Sequence, residues 1–273
     1  MPGMTDPAEW SRAADPRRVI GRVVEFHPEI GSTNDRARAA LAEPGGEGRA
    51  VVADVQTAGR GRRGRTWISP AGANLLFSVA WRPNVAPRLV GLLGVTVALA
   101  VRDACASLVP DAGLAIRWPN DVVDVSGRKV AGLLVETALE RGELAEAVVG
   151  IGINVNWLPT AMPAEISGSA TSLQALLGEP IDRVILLGRV LDALDTGAHA
   201  LERGDTPLAR LRAADWLHGR QLAVDTGETT LTGRAAGIAD DGSLLLDAEA
   251  GRVALSVGEV ARVHDSLPAA VPE

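Results

Sequence analysis

Residues 54–67 read DVQTAGRGRRGRTW, and the choice between two kinds of sheet turns on them. Positions 59–65 hold Gly59, Arg60, Gly61, Arg62, Arg63, Gly64 and Arg65 in a chain of formal net charge −7. Gly59-x-Gly61-x-x-Gly64 matches the spacing of a dinucleotide-binding turn, and the β-branched run at 50–55 precedes it as a strand would. That fold needs the glycines to open a helix whose free amides meet a pyrophosphate. Here the chain continues Thr66-Trp67-Ile68-Ser69-Pro70 toward another strand at 74–81, with no acidic residue at the expected distance. A doubly wound parallel sheet is therefore set aside.

An RNA-binding arginine-glycine tract is disfavoured too. Such tracts are longer and interleaved with aromatics, and an acidic chain lacks the broad positive surface that displaces counterions from phosphates. A solvated turn and an anion-binding loop both remain. In the second reading each guanidinium offers a rigid fork of donors, and a hydrogen bond to a charged group is worth about 1.5–3 kcal/mol. Ordering roughly eight flexible residues costs about 8–16 kcal/mol, so such a loop is expected to stay mobile until a charged ligand closes it.

Working outward, 273 residues suffice for one large domain and a small one, and 47% hydrophobic with 22% charged residues describes an ordinary globular chain. The single cysteine, Cys105, lies in an apolar helical pattern, which predicts a buried thiol and a reducing, cytoplasmic setting. The N-terminal residues carry no apolar signal core. The longest apolar run, 89–101 between Arg88 and Arg102, is shorter than the roughly 20 residues of a membrane span and reads as a core helix. His27, His199, His218 and His264 are too scattered for a metal-ligand motif, and no Gly-x-Ser-x-Gly elbow occurs.

The pattern predicts strands at 22–26, 50–55, 74–81, 114–118 and 146–154, with a hairpin over 121–137 and a break at Arg141-Gly142. Helices are expected from Gly31-Ser32-Thr33-Asn34 to about 41, at 87–108, 172–177 and 182–201, with more helix over 207–217. From 218 the chain turns to short strands, 221–225, 230–236, 244–247 and 252–257, as in a small barrel. The expected organisation is a flexible tail over 1–20, an α+β catalytic domain over 21–217 with a mixed sheet, and a small β-barrel over 218–265.

Six blocks then take on a common meaning. They are Gly31-Ser32-Thr33-Asn34; Gln56-x-x-Gly59-Arg60-Gly61-Arg62-x-Gly64-Arg65-x-Trp67; Trp118-Pro119-Asn120-Asp121; Lys129-Val130-Ala131-Gly132-Leu133-Leu134-Val135-Glu136; Gly150-Ile151-Gly152-Ile153-Asn154-Val155-Asn156; and Ala170-Thr171-Ser172-Leu173. In this order and spacing, from about 25 to 264, the chain resembles the biotin protein ligase (biotin–acetyl-CoA-carboxylase ligase) family. The resemblance implies a catalytic sheet domain of the biotin/lipoate ligase type and an SH3-like C-terminal barrel. It implies that biotin and MgATP give biotinyl-5′-AMP and pyrophosphate, and that a lysine of a carboxylase's biotin carboxyl carrier domain then takes the biotin.

The residue roles it implies follow block by block. Ser32, Thr33, Asn34 and Gln56 would bind biotin, the hydroxyls and the amide reading its ureido ring. Gly59 would use its backbone beside biotin, and Gly132, Leu133, Leu134 and Gly152 would line the biotin pocket. Arg60, Arg62 and Arg65 would gather carboxylate and phosphates, Arg62 catalytically. Lys129 would sit between the carboxylate and the α-phosphate, serving biotin, ATP and catalysis. Asn120 and Asp121 complete the catalytic set, with Asp121 orienting the acceptor lysine and assisting Mg2+. Trp67 and Asn154 would contact the adenylate. Read without the resemblance, Ser32 or Thr33 is a helix cap, Trp67 a core residue and Asn120-Asp121 a turn.

A lipoate or octanoate ligase would share the catalytic fold but carry an Arg-Arg-x-Ser-Gly-Gly-Gly block, which is absent. A non-catalytic biotin or nucleotide sensor would lose Lys129 or the loop arginines, which are present. With only 31 residues before Ser32, no sequence-specific DNA-binding module is expected, and no membrane partner. The family's sheets can pair subunits into a homodimer, and the sequence does not decide between monomer and dimer.

Overall fold

The structure, a computed structural model, describes residues 7–141 and 143–264. Of the expected segments, residues 1–6, Gly142 and residue 265 lie outside it. A seven-stranded mixed sheet holds β1 (Val24–Ile30), β2 (Ala50–Gln56), β3 (Leu75–Trp81), β4 (Ala115–Arg117), β5 (Asp121–Val123), β6 (Lys129–Glu140) and β7 (Glu143–Ile153) in the order β1-β2-β3-β7-β6-β5-β4. Only β1 and β2 run parallel; the remaining pairs are antiparallel.

Strand alternation sorts the side chains onto two faces. Leu75, Phe77, Val79 and Trp81 of β3 and Val149, Ile151 and Ile153 of β7 join the main core. That face is covered by α3 (Leu93–Ala106) and α6 (Arg183–Glu202), which pack on each other. On the opposite face α2 (Thr33–Ala40) sets Ala37, with Leu41 just beyond its end, against Val51, Ala80 and Val148. The site lies on this second face, beyond the N-terminus of α2.

Two expectations are corrected. Residues 7–20 are no loose tail: α1 (Pro7–Trp10) buries Trp10 completely, stacked on Phe26 at 5.4 Å with the Arg183 guanidinium 5.3 Å from its ring. Asp195 on α6 accepts from the amides of Val19 and Ile20 at 2.8 and 2.9 Å. An isolated tryptophan with no periodic partners gives no pattern to read, so this segment was invisible to periodicity. The helix expected at 87–108 is present, but it is not too short to span, as the run 89–101 had suggested. With the 3-10 turn Pro87–Leu92 it spans 20 residues, long and apolar enough to cross a membrane, yet it packs on the sheet and α6 as a core helix.

The short helices α4 (Ala164–Ser167), α5 (Leu173–Leu177) and α7 (Leu208–Ala213) connect the remaining parts. A second sheet follows, β8 (Gln221–Asp225), β9 (Thr230–Ile238), β10 (Leu244–Ala248), β11 (Gly251–Leu255) and β12 (Glu259–His264), antiparallel throughout in the order β11-β10-β9-β8-β12. This is the SH3-like part, and β12 was not among the strands read from the pattern. Its core, Leu222, Val224, Ile238, Leu244 and Leu246, is continuous with the main core, and Trp118 Nε1 donates to the Gly242 carbonyl at 3.1 Å.

Trp10→Ala tests whether the N-terminal segment is part of the cooperative unit. Deleting a fully buried indole should cost about 3–5 kcal/mol, seen as a lower denaturant midpoint at unchanged slope. A change below about 0.5 kcal/mol would mean that the segment is only laid on the surface.

Candidate active site

A cavity of about 310 Å³ opens between the N-terminus of α2, the arginine-glycine loop, and the strands β5, β6 and β7. Its lining takes in Ser32, Thr33, Asn34, Gln56, Arg60, Arg62, Arg65, Trp67, Asn120, Asp121, Lys129, Gly132, Leu133, Leu134, Gly152 and Asn154, so the residues singled out from the sequence converge with one exception. Gly59 is buried outside the lining, its carbonyl accepting from the Trp67 amide at 3.0 Å. It closes the base of the loop.

At one end the polar groups are neutral. Ser32 occupies the N-cap position of α2 without a side-chain cap bond. Gln56 does the capping instead, its Oε1 accepting from the Thr33 amide at 2.8 Å and the Thr33 hydroxyl at 3.0 Å. The floor is glycine. Gly132 and Gly152 face each other in register across β6 and β7. A Cβ at Gly152 would come within 2.6 Å of the Trp67 ring, and one at Gly132 within 2.8 Å of it and 2.6 Å of Lys129 Nζ. Only glycine leaves room for the indole against the sheet here.

At the other end charges gather. Lys129 Nζ sits 2.7 Å from Asp121 Oδ1 and 5.2 Å from the Trp67 ring centroid. Arg117 Nη2 donates to Asp121 Oδ2 at 2.8 Å, and its Nη1 to the Gly127 carbonyl at 3.1 Å. Burial works to raise the Asp121 pKa, but Lys129 and Arg117 together outweigh it and hold the carboxyl below its usual range. Asn120 bonds the Leu133 carbonyl at 2.6 Å and accepts from Arg62 at 3.2 Å. Burial pushes the Arg62 guanidinium pKa down, against the pull of Glu259 and Asp121.

The loop itself is a closed hairpin. Gly61 donates to Arg65 at 2.6 Å, and Gly64 turns the chain at φ 74°. The loop was expected to stay mobile until a ligand arrives; in the structure it is folded, with carboxylates paired to three of its four arginines. Arg60 forks onto Asp35 at 2.5 and 2.9 Å, Arg63 reaches Asp225 at 2.8 Å, and Arg65 reaches Glu259 at 2.7 Å. The last two acids belong to the C-terminal sheet.

Among the lining residues that reasoning from sequence did not single out are Arg117, Gly150, Ile151, Trp157, Ile166, Ser169 and Ala170. Gly150 and Ala170 sat inside recognised blocks, and Arg117 immediately precedes one. Nothing local marks Trp157.

The family described as "Biotin/lipoate A/B protein ligase family" matches residues 30–154, and "Biotin protein ligase C terminal domain" matches residues 217–263. The biotin–[acetyl-CoA-carboxylase] ligase of Mycobacterium tuberculosis is 34% identical over 249 residues, covering 89% of this chain and 90% of that one. The chain belongs to the biotin protein ligase family. The Paracoccus denitrificans biotin–[acetyl-CoA-carboxylase] ligase is 37% identical over 235 residues, 84% of this chain and 96% of its own. Among solved structures, the Aquifex aeolicus biotin protein ligase in complex with biotin and ATP superposes with a TM-score of 0.76 at 30% identity, covering 90% of this chain and all of that one. For a biotin protein ligase the cavity has a suitable size and polarity, neutral at one end and cationic at the other.

The Asp121 pairing has a pH signature. Its lowered pKa gives stability that is fully present above the unfolded value of about 3.9 and lost as pH falls through the depressed folded value. Asp121→Asn should therefore cost about 1.5–3 kcal/mol at neutral pH. The gap to the unaltered chain should be flat above about pH 5 and close below about pH 4, read from denaturant midpoints across pH. A gap independent of pH would rule out an ionised carboxylate as its source.

Proposed function

We propose that this chain activates biotin as biotinyl-5′-AMP with release of pyrophosphate, then transfers biotin to a lysine of a biotin carboxyl carrier domain of an acyl-CoA carboxylase in the cytoplasm. The observation that carries this reading is the polarity of one cavity, where neutral hydrogen-bonding groups and Lys129 stand on the same glycine floor. Thr33 and Gln56 suit a uncharged cyclic urea, and Ser32 adds a hydroxyl that can donate or accept. The valeryl chain would run over Gly132, Leu133, Leu134 and Gly152 toward the cationic end.

In the first step a biotin carboxylate oxygen bonds the α-phosphorus while the bond to the β-phosphate bridging oxygen breaks and pyrophosphate leaves. Negative charge accumulates on the phosphate oxygens. Lys129 and Arg62 would stabilise it, with Arg60 and Arg65 exchanging their carboxylate partners for ligand oxygens. Trp67 and Asn154 would flank the adenylate, and the hairpin would shield the mixed anhydride from water. In the second step the neutral acceptor amine bonds the acyl carbon, the carbon–oxygen bond breaks, AMP leaves and the amine's surplus proton passes to solvent. Asn120 would keep Arg62 in place. Asp121 Oδ1, once Lys129 turns to the phosphate, would face the incoming amine.

Mg2+ accompanies ATP as its counter-ion, but the protein residues do not fit a metal site of their own. Both Asp121 oxygens are engaged by cations, and no group of three or more metal-binding side chains occurs among the described residues. The expected metal role of Asp121 is therefore not carried forward.

The test is exchange of labelled pyrophosphate into ATP with biotin, lipoate or octanoate as the acid. Exchange is expected with biotin alone, and Lys129→Ala should lower it at least about 100-fold. Exchange with lipoate or octanoate instead would move the chain to the sister activity.

A further inference from the structure

Every residue of β3 is buried, and Ser78 is the polar one among apolar neighbours. It lies beneath the start of α2, where its hydroxyl donates to Asn34 Oδ1 at 2.5 Å and meets Thr33 Oγ1 at 2.7 Å. Asn34 Nδ2 in turn donates to Glu136 Oε2 at 2.7 Å. Glu136 sits on β6 beyond the cavity, with Arg38 3.2 Å away on its outer side.

Proton counting fixes the direction of this chain. An ionised carboxylate only accepts, so Asn34 must turn its NH2 to Glu136 and its carbonyl to Ser78. The one proton of Ser78 is spent on that carbonyl. The 2.7 Å contact is then made by the Thr33 proton, with a longer shared leg of 3.0 Å to Gln56. Thr33 has only lone pairs left to offer the cavity. Gln56, its oxygen held by the Thr33 amide, is left with its NH2 as the outward group.

We propose that Glu136 is a positioning residue that, through Asn34 and Ser78, sets the Thr33 hydroxyl as a hydrogen-bond acceptor and so selects a ligand presenting a ring N–H there. The proposal rests on the biotin reading, whose ureido ring carries two N–H donors and one carbonyl acceptor. An amide in place of the carboxylate can donate as well as accept. The chain could then run in reverse, with Ser78 donating to Thr33, so that one Thr33 lone pair is taken up and its proton turns to Gln56 or the cavity, while the protein fold stays intact.

The experiment compares biotin KM and kcat in pyrophosphate exchange for the unaltered chain, Glu136→Gln, Ser78→Ala and Arg38→Ala. The two cyclic carbamates in which one or the other ureido N–H is replaced by oxygen serve as competing acids. Glu136→Gln should raise the biotin KM about tenfold at unchanged kcat, the worth of one mismatched hydrogen bond. It should also narrow the preference for biotin over one carbamate by about the same factor. Ser78→Ala, which cuts the chain at its middle, should shift KM in the same direction, and Arg38→Ala should leave KM unchanged. Wild-type KM and selectivity in both Glu136→Gln and Ser78→Ala would overturn the proposal, as would a loss confined to kcat. An Arg38→Ala variant that reproduces the Glu136→Gln effect would overturn it too, assigning the effect to the outer ion pair. Should the unaltered chain show no exchange with biotin, the functional reading itself fails and this proposal falls with it.

Discussion

Arg60, Arg62, Arg65, Arg117 and Lys129 converge on one half-buried cleft, and much of the site answers to their mutual repulsion. Like charges at such range disfavour one another more strongly as water is withdrawn. The chain meets this by giving most of them a nearby acid: Asp35 for Arg60, Glu259 for Arg65, and Asp121 shared by Arg117 and Lys129. Arg62 meets an amide oxygen on Asn120 instead, and it is the arginine of the group whose pKa burial pushes down. Arg62 is thus the least compensated cation of the cleft.

The same constraint gives the C-terminal sheet a part in the site. Asp225 and Glu259 are register partners on β8 and β12, which puts two carboxylates side by side at the end of that sheet, against the loop. Ion pairs between groups this exposed are weakened by solvent and salt. They hold the hairpin closed without locking it. The buried indole bond from Trp118 to Gly242, two residues before Asn120, anchors the second sheet to the segment that carries Asn120 and Asp121. Displacing that sheet would therefore disturb both walls of the cavity.

What the sequence made legible was what local rules control. Runs of β-branched residues became strands, the block residues met in one cleft, and the failure of Gly64 to open a helix excluded the dinucleotide fold. What stayed hidden depended on distant partners. Trp10 is buried by Phe26 and Arg183, which no spacing links to it. Arg117 matters because a turn brings Asp121 back to it at 2.8 Å. The loop's tethering was not legible because two of the partners, Asp225 and Glu259, lie more than 150 positions along the chain, beyond any reading of the loop itself.

Period-two alternation explains why site and core could be encoded in the same strands. On β6 and β7 the residues facing α3 and α6 are large, whereas Gly132, Gly150 and Gly152 face the cavity, where a Cβ would strike Lys129, Asn34 or Trp67. A one-residue slip in register would turn the core side chains of these strands toward the cavity and the glycines into the core. Packing energy for the core therefore enforces the flatness of the floor. Ser78 follows the same logic on β3: it belongs to the face that the core does not need, and there a hydroxyl can be buried because Thr33 and Asn34 satisfy it. The polar order beneath α2 is thus fixed by the alternation that builds the hydrophobic layer on the other side.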